Sequence, residues 1–153
     1  MTRINSDMPV DALLGLLFKY QELHRQAVRR MDVPTGNRHT LKVIKAGDAL
    51  ASTSPGRDAL ERLLAHPMAY MRLRAAQSVM EWDSKIAIPV LSRLLFENLG
   101  EESSADERID IRTSAKETLF LHFGIKSWNR NDLIEPLRAY GVDLPYRDYD
   151  KWR

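Results

Sequence analysis

Met71-Arg72-Leu73-Arg74-Ala75, with Val79 four residues on, and Ile111-Arg112-Thr113-Ser114-Ala115, with Leu119 four residues on, state one pattern twice at an offset of 40. Upstream of each stands a second shared phrase, Leu60-Glu61-Arg62-Leu63-Leu64 and Leu91-Ser92-Arg93-Leu94-Leu95, at an offset of 31. Apolar positions three and four apart are helical, so each copy reads as two helices. Self-similarity at a fixed period implies units that bury their faces against one another. The two offsets differ by 9, about the length of the acidic stretch Glu101-Glu102-Ser103-Ser104-Ala105-Asp106-Glu107. The second copy therefore reads as the first with a loop inserted between its helices.

The same spacing extends outward in both directions. Pro9 suits the first turn of a helix, where its missing N–H costs nothing, and Leu13, Leu16, Leu17, Tyr20, Leu23, Ala27 and Val28 carry an apolar stripe to about residue 30. Asp32-Val33-Pro34-Thr35-Gly36 reads as a break, followed by a shorter, Asn37-led helix and a second break at 52–56. The copies then predict helices over 57–66, 68–82 and 85–99, with Gly100 as a stop. Ser104 or Asp106 is placed to cap the next helix, which ends at Gly124, and a last one over 131–140 closes at Gly141. No run alternates with the period of two of half-buried strands. The expected fold is all-α, a short right-handed stack of antiparallel helix pairs with about seven helices, in a single domain over 1–153. Its clearest repeat is 57–82, its interrupted copy 85–123, and its tail 142–153.

Leu-x-x-Leu-Leu, a short break, then apolar-Arg-x-x-Ala resembles the HEAT repeat, in which small residues such as Ala75 and Ala115 let paired helices approach. The long first helix, the Asn37-led second and the pair that follows resemble a family of small bacterial proteins of unknown function. What these resemblances imply is a scaffold or binder of protein, and most concretely an immunity protein that neutralises a cognate secreted toxin. A nucleic-acid-binding HEAT-like protein and a general adaptor are the alternatives.

The chemistry-bearing residues agree with a non-enzymatic reading. There is no cysteine, so thiolate and iron–sulfur chemistry have no ligand. The seven glycines stand singly, which gives no phosphate loop. His24, His39, His66 and His122 lack the spacing of a metal site. His66, before Pro67, is expected to close a helix end, and Trp82 to lie in the core. No cofactor is expected. Basic and acidic residues nearly balance, 23 against 21, with residues 1–82 at +4 and 83–127 at −2. That gradient is too mild for a phosphate-tracking stripe, so a protein partner is expected rather than nucleic acid, a small-molecule substrate or a membrane. Nothing resembles an export signal, and a cytoplasmic location is expected.

The candidate partner surface combines the acidic loop, Glu101, Glu102, Asp106 and Glu107, with Arg72, Arg74 and Arg112 on the second helix of each pair. Long insertions between repeat helices lie on one face of a stack, and charge complementarity sets partner choice. The plainer reading has the repeat arginines paired to acids of a neighbouring repeat and the loop simply solvated. Tyr140, Tyr146, Tyr149, Trp128 and Trp152 are expected to dock on the protein's own last helix, the alternative being that with Arg147, Lys151 and Arg153 they stack on nucleic-acid bases.

Overall fold

The structure is a computed structural model that describes residues 3–100 and 103–149. Among these residues there are seven α-helices and no strand: α1 (Val10–Arg29), α2 (Val33–Ala51), α3 (Ser54–Leu63), α4 (Ala69–Val79), α5 (Ser84–Arg93), α6 (Ala105–Phe123) and α7 (Ile134–Arg138), the last preceded by a 3-10 turn, Arg130–Leu133. The all-α class and the helix count expected from periodicity are those observed. No helix of the described residues is long and apolar enough to cross a membrane.

The repeat register is visible as matched burial. Leu60 and Leu91, Met71 and Ile111, Ala75 and Ala115, and Val79 and Leu119 are all buried in one core. One equivalent bond joins the two offsets. Arg72 of α4 donates to the carbonyl of His66 at 2.8 Å, and Arg112 of α6 donates to that of Glu97 at 2.9 Å. Arg72 also takes Pro67 O at 2.9 Å, and Arg112 takes Leu95 O at 2.6 Å. Each arginine thus satisfies the orphan carbonyls that follow the first helix of its own pair. The residues after Arg93 form turns instead of continuing the predicted helix to 99, and Arg112 collects the carbonyls so released.

Local chemistry corrects several boundaries. The helix predicted to begin at Asn37 begins four residues earlier. Asp32 is its N-cap, accepting from the Thr35 N–H, and Pro34 lies in the first turn, where it is tolerated. The break is confined to Arg30, Met31 and Asp32, and α2 is nearly as long as α1. Thr53 caps α3 through Gly56 N–H, and Ser104 caps α6 through Glu107 N–H. Asp106 and Glu107 therefore belong to α6 rather than to a loop. In the repeat register Ala69, which opens α4, matches Ile109, so α6 carries an additional N-terminal turn. Trp82, expected in the core, is half-buried, donates from Nε1 to Glu61 at 2.8 Å and carries Arg57 over its ring at 5.0 Å. The His66 ring accepts from Met68 N–H, at the start of α4, at 3.0 Å and packs against Phe18.

The helix α1 is what departs most from a row of pairs. It packs chiefly on α2 and also touches α3, α4 and α6. Its first half supplies Leu13 and Leu17 to the core. Its second half supplies Gln21, His24, Arg25 and Arg29 to a polar seam with α4 and α6.

Candidate binding surface around the start of α6

The seven residues selected from sequence do not share one face. Glu101 and Glu102 lie outside the described residues, as do Lys151, Trp152 and Arg153 of the tail. Glu107, read as part of a solvated loop, is only 2% exposed; Arg25 Nε stands 3.3 Å from its carboxylate and Arg29 Nε binds the same oxygen. The additional turn of α6 thus drives a carboxylate under α1, where desolvation demands a cation. Arg74, placed on an open concave side by the repeat reading, sits beneath α1 and donates to Gln21 Oε1 at 2.8 Å. Burial lowers its pKa, opposed by the attraction of Asp110 and Tyr70. Arg72 and Arg112 are engaged by carbonyls as described, and Arg72 also approaches the Glu97 carboxylate at 3.9 Å. Of the five that are described, Asp106 alone is an exposed side chain for which no hydrogen bond or ion pair is seen among the described residues.

The seam brings together residues that periodicity did not single out. Asp110 Oδ2 accepts from Tyr70 Oη at 2.6 Å and from His24 Nε2 at 3.0 Å. Tyr70 and Asp110 are themselves equivalent in the 40-residue register, so their contact is a direct consequence of α4 and α6 lying side by side. Burial alone would raise the Asp110 pKa. The hydrogen bonds from His24 and Tyr70, with the nearby charges of His24 and Arg74, outweigh it and hold the carboxyl below its ordinary range. Burial and then the Asp110 bond push the Tyr70 phenol up.

On its other side the His24 ring meets Thr40 Oγ1 at 2.9 Å and Gly36 O at 3.2 Å through Nδ1. A hydroxyl, an imidazole and a carboxylate thus stand in line, the order used for nucleophile activation. Thr40 lies inside α2, however, and its hydroxyl donates to Gly36 O, one turn back in the same helix, at 3.0 Å. Backbone N–H groups inside the helix are bonded to its own carbonyls. The arrangement instead ties α1, α2, α4 and α6 together.

Above this tie opens a cleft of about 290 Å³, lined by His24, Ala27, Val28, Met31, Asp32, Val33, Gly36, Asn37, Asp106 and Asp110. Its wall carries three carboxylates, and hydrogen bonds from Thr35 hold that of Asp32 below its ordinary pKa. Its lip is apolar: Met31 is 77% exposed, and Val33 is exposed beside it. Met31 also has a φ of 57°, a conformation that L-residues with long side chains rarely take. The sequence signal for this cleft was the Asp32-to-Gly36 segment, legible as a helix start but read as a break. His24 and Asp110 are 86 residues apart and carried no pattern that joined them.

Comparison of the chain with family models, with curated proteins and with solved structures finds no match.

Proposed function

We propose that this chain is a protein-binding helical module, and most concretely an immunity protein of the HEAT-like kind, which neutralises a toxin by covering a basic active-site face. The observation that carries the reading is the acidic cleft with its exposed apolar lip. Exposed large apolar side chains beside ordered charge mark interaction surfaces. Asp32, Asp106 and Asp110 suit a cationic segment, and Met31 and Val33 supply the apolar anchor that hot spots require. A chain with these features acts by surface, and needs neither cofactor nor substrate.

The test is co-expression with the reading frame beside its gene, followed by size-exclusion chromatography and titration of the purified pair. A partner with a basic face is expected to co-elute, and Met31→Asp combined with Asp106→Asn to weaken the complex at least tenfold while the melting temperature moves by no more than a few degrees. A complex indifferent to that double substitution, or an adjacent product that never associates, ends the reading.

A further inference from the structure

A second cleft, of about 490 Å³, opens on a different face of α6 and is lined by Leu95, Phe96, Ile109, Arg112, Arg130, Pro145, Tyr146 and Arg147. Its charge is of one sign. Among the described residues no ion pair joins Arg108, Arg112, Arg130 or Arg147 to a carboxylate. The groups are nonetheless ordered. Arg130 is 8% exposed and spends Nη1 on Pro145 O at 2.7 Å. Arg112 is fixed on the carbonyls that end the first helix of its pair. The Arg147 backbone N–H is held by Asn131 Oδ1 at 2.9 Å, and the Asn131 side chain also donates to Arg147 O. Its guanidinium lies over the ring of Tyr149, at 5.4 Å.

Among the described residues these like charges have no counter-ion, and their mutual repulsion destabilises the free protein. Burial is the main cause that lowers the pKa of Arg112, followed by Arg108 and Arg147. In Arg130 burial again leads; Tyr149 opposes it, while Arg147 and Arg112 add to it. Such a cluster is what an anion of more than one charge relieves. One carboxylate is satisfied by a single bidentate guanidinium, whereas a phosphate monoester offers three oxygens and up to two charges. Arg147, with the nitrogens that Arg130 does not spend on Pro145, supplies the donors, and Arg112 supplies fixed charge. The aromatic rings select further. Tyr146 is 73% exposed, and Tyr149 is also exposed. The tail therefore docks through Val142 and Leu144, which are buried, and leaves those two tyrosines outside. A planar base stacks on such rings.

We propose that the cleft between α6 and the 130–147 segment binds a nucleotide, its phosphate held by Arg130 and Arg147 and its base against Tyr146. The mild overall charge is no obstacle, since one nucleotide needs one cationic cleft and not a stripe. The proposal concerns a face other than the acidic cleft and stands without the partner reading.

Calorimetric titration of the full chain with adenosine monophosphate, adenosine and inorganic phosphate, alongside anisotropy of a labelled 5′-phosphorylated oligothymidylate, decides it. The mononucleotide is expected to bind and adenosine not to. Arg147→Gln, an exposed position, is expected to lower affinity at least tenfold with unchanged melting. Tyr146→Ala should weaken the nucleotide but leave inorganic phosphate as it was. Arg130→Gln should act like Arg147→Gln; because it also frees the Pro145 carbonyl, Arg147→Gln carries the decision if that variant does not fold. Binding of the oligonucleotide without the mononucleotide, lost in Arg147→Gln, supports the site and assigns its ligand to single strands. Failure of both nucleotide probes, equal binding by Arg147→Gln, or tighter binding of an oligoglutamate than of either overturns it.

Discussion

The two helix pairs, α3 with α4 and α5 with α6, share a register and differ in what they give to the rest of the molecule. In the first, the chain passes from helix to helix through residues 64–68, and α4 begins where the repeat places it. In the second, the connection spans 94–104 and α6 begins a turn early. That added turn carries Asp106 and Glu107, and one step below it comes Asp110. The first pair has Pro67 where the second has Glu107. The shared positions build the core and the arginine-capped carbonyls, whereas the added turn builds the contact with α1 and one wall of the acidic cleft. The matched positions lie in the core, and the added turn lies at the surface and against α1.

The comparison is broken most severely at Glu107. Glu107→Ala takes from Arg25 and Arg29 the buried carboxylate they share, and a hydrogen bond between charged groups is worth about 1.5–3 kcal/mol. Arg29 is partly exposed and Arg25 keeps Glu22 at 3.0 Å, so the lower end for each of the two, about 3 kcal/mol together, is expected from chemical denaturation. Pro67→Ala, at the matching position of the first pair, should change stability by less than about 1 kcal/mol. Equal losses would mean that the added turn is not what secures α1.

Arg112 and Arg72 test the shared part. Hydrogen bonds from a charged donor are worth about 1.5–3 kcal/mol, and both arginines cap carbonyls of their own pair. Arg112→Ala and Arg72→Ala should each cost about 2 kcal/mol. Arg112→Ala should also raise amide exchange at residues 94–100, and Arg72→Ala at 64–68. Exchange that rises elsewhere would deny the capping role.

The register was legible because it rests on apolar spacing, which a sequence displays directly. Helix ends at Gly124 and Gly141 were legible from residue type: both take positive φ, where glycine is at no cost. The start of α2 was misread because Pro34 and Gly36 are breakers inside a helix and ordinary residues in its first turn, and only the Asp32 cap distinguishes the cases. The seam was illegible for a different reason. Glu107 looked like one more acid in a solvated run, and its burial depends on α1, about 80 residues away. Arg74 failed likewise: a second helix lines an open groove only if nothing lies across it, and no local pattern announced that α1 would.

Asp110 links the two pairs through pH. Its carboxyl titrates below the unfolded value of 3.8, so the folded state favours the charged form. That contribution is complete above the unfolded value and is lost as pH falls through the lower folded one. Asp110→Asn should cost about 1–2 kcal/mol near neutrality and should flatten the fall in stability as pH drops below the unfolded carboxyl value. A variant whose acid profile parallels the parent would place the acid sensitivity elsewhere.

The smallest effect expected is a gain. Helices α1, α6 and α7 all end in the same hydrogen-bonded turn. Asp32 N–H reaches Ala27 O, Ile125 N–H reaches Phe120 O and Val142 N–H reaches Leu137 O, each five residues back. The left-handed residue is Gly124 after α6 and Gly141 after α7, but Met31 after α1, with φ values of 67°, 76° and 57°. A non-glycine there costs about 1–2 kcal/mol, and glycine gives back about 0.5–1 kcal/mol through its freer unfolded chain. Met31→Gly should therefore stabilise the protein by up to about 1 kcal/mol, or a few degrees of melting temperature, since the exposed side chain contributes little packing. The same substitution should weaken any partner held at the acidic cleft. A gain in stability with no loss of binding would show that Met31 is merely tolerated, while a loss in both would show that its side chain packs on the fold. Gain in one and loss in the other is the signature of a residue kept, against the local preference of the backbone, for what it touches outside the molecule.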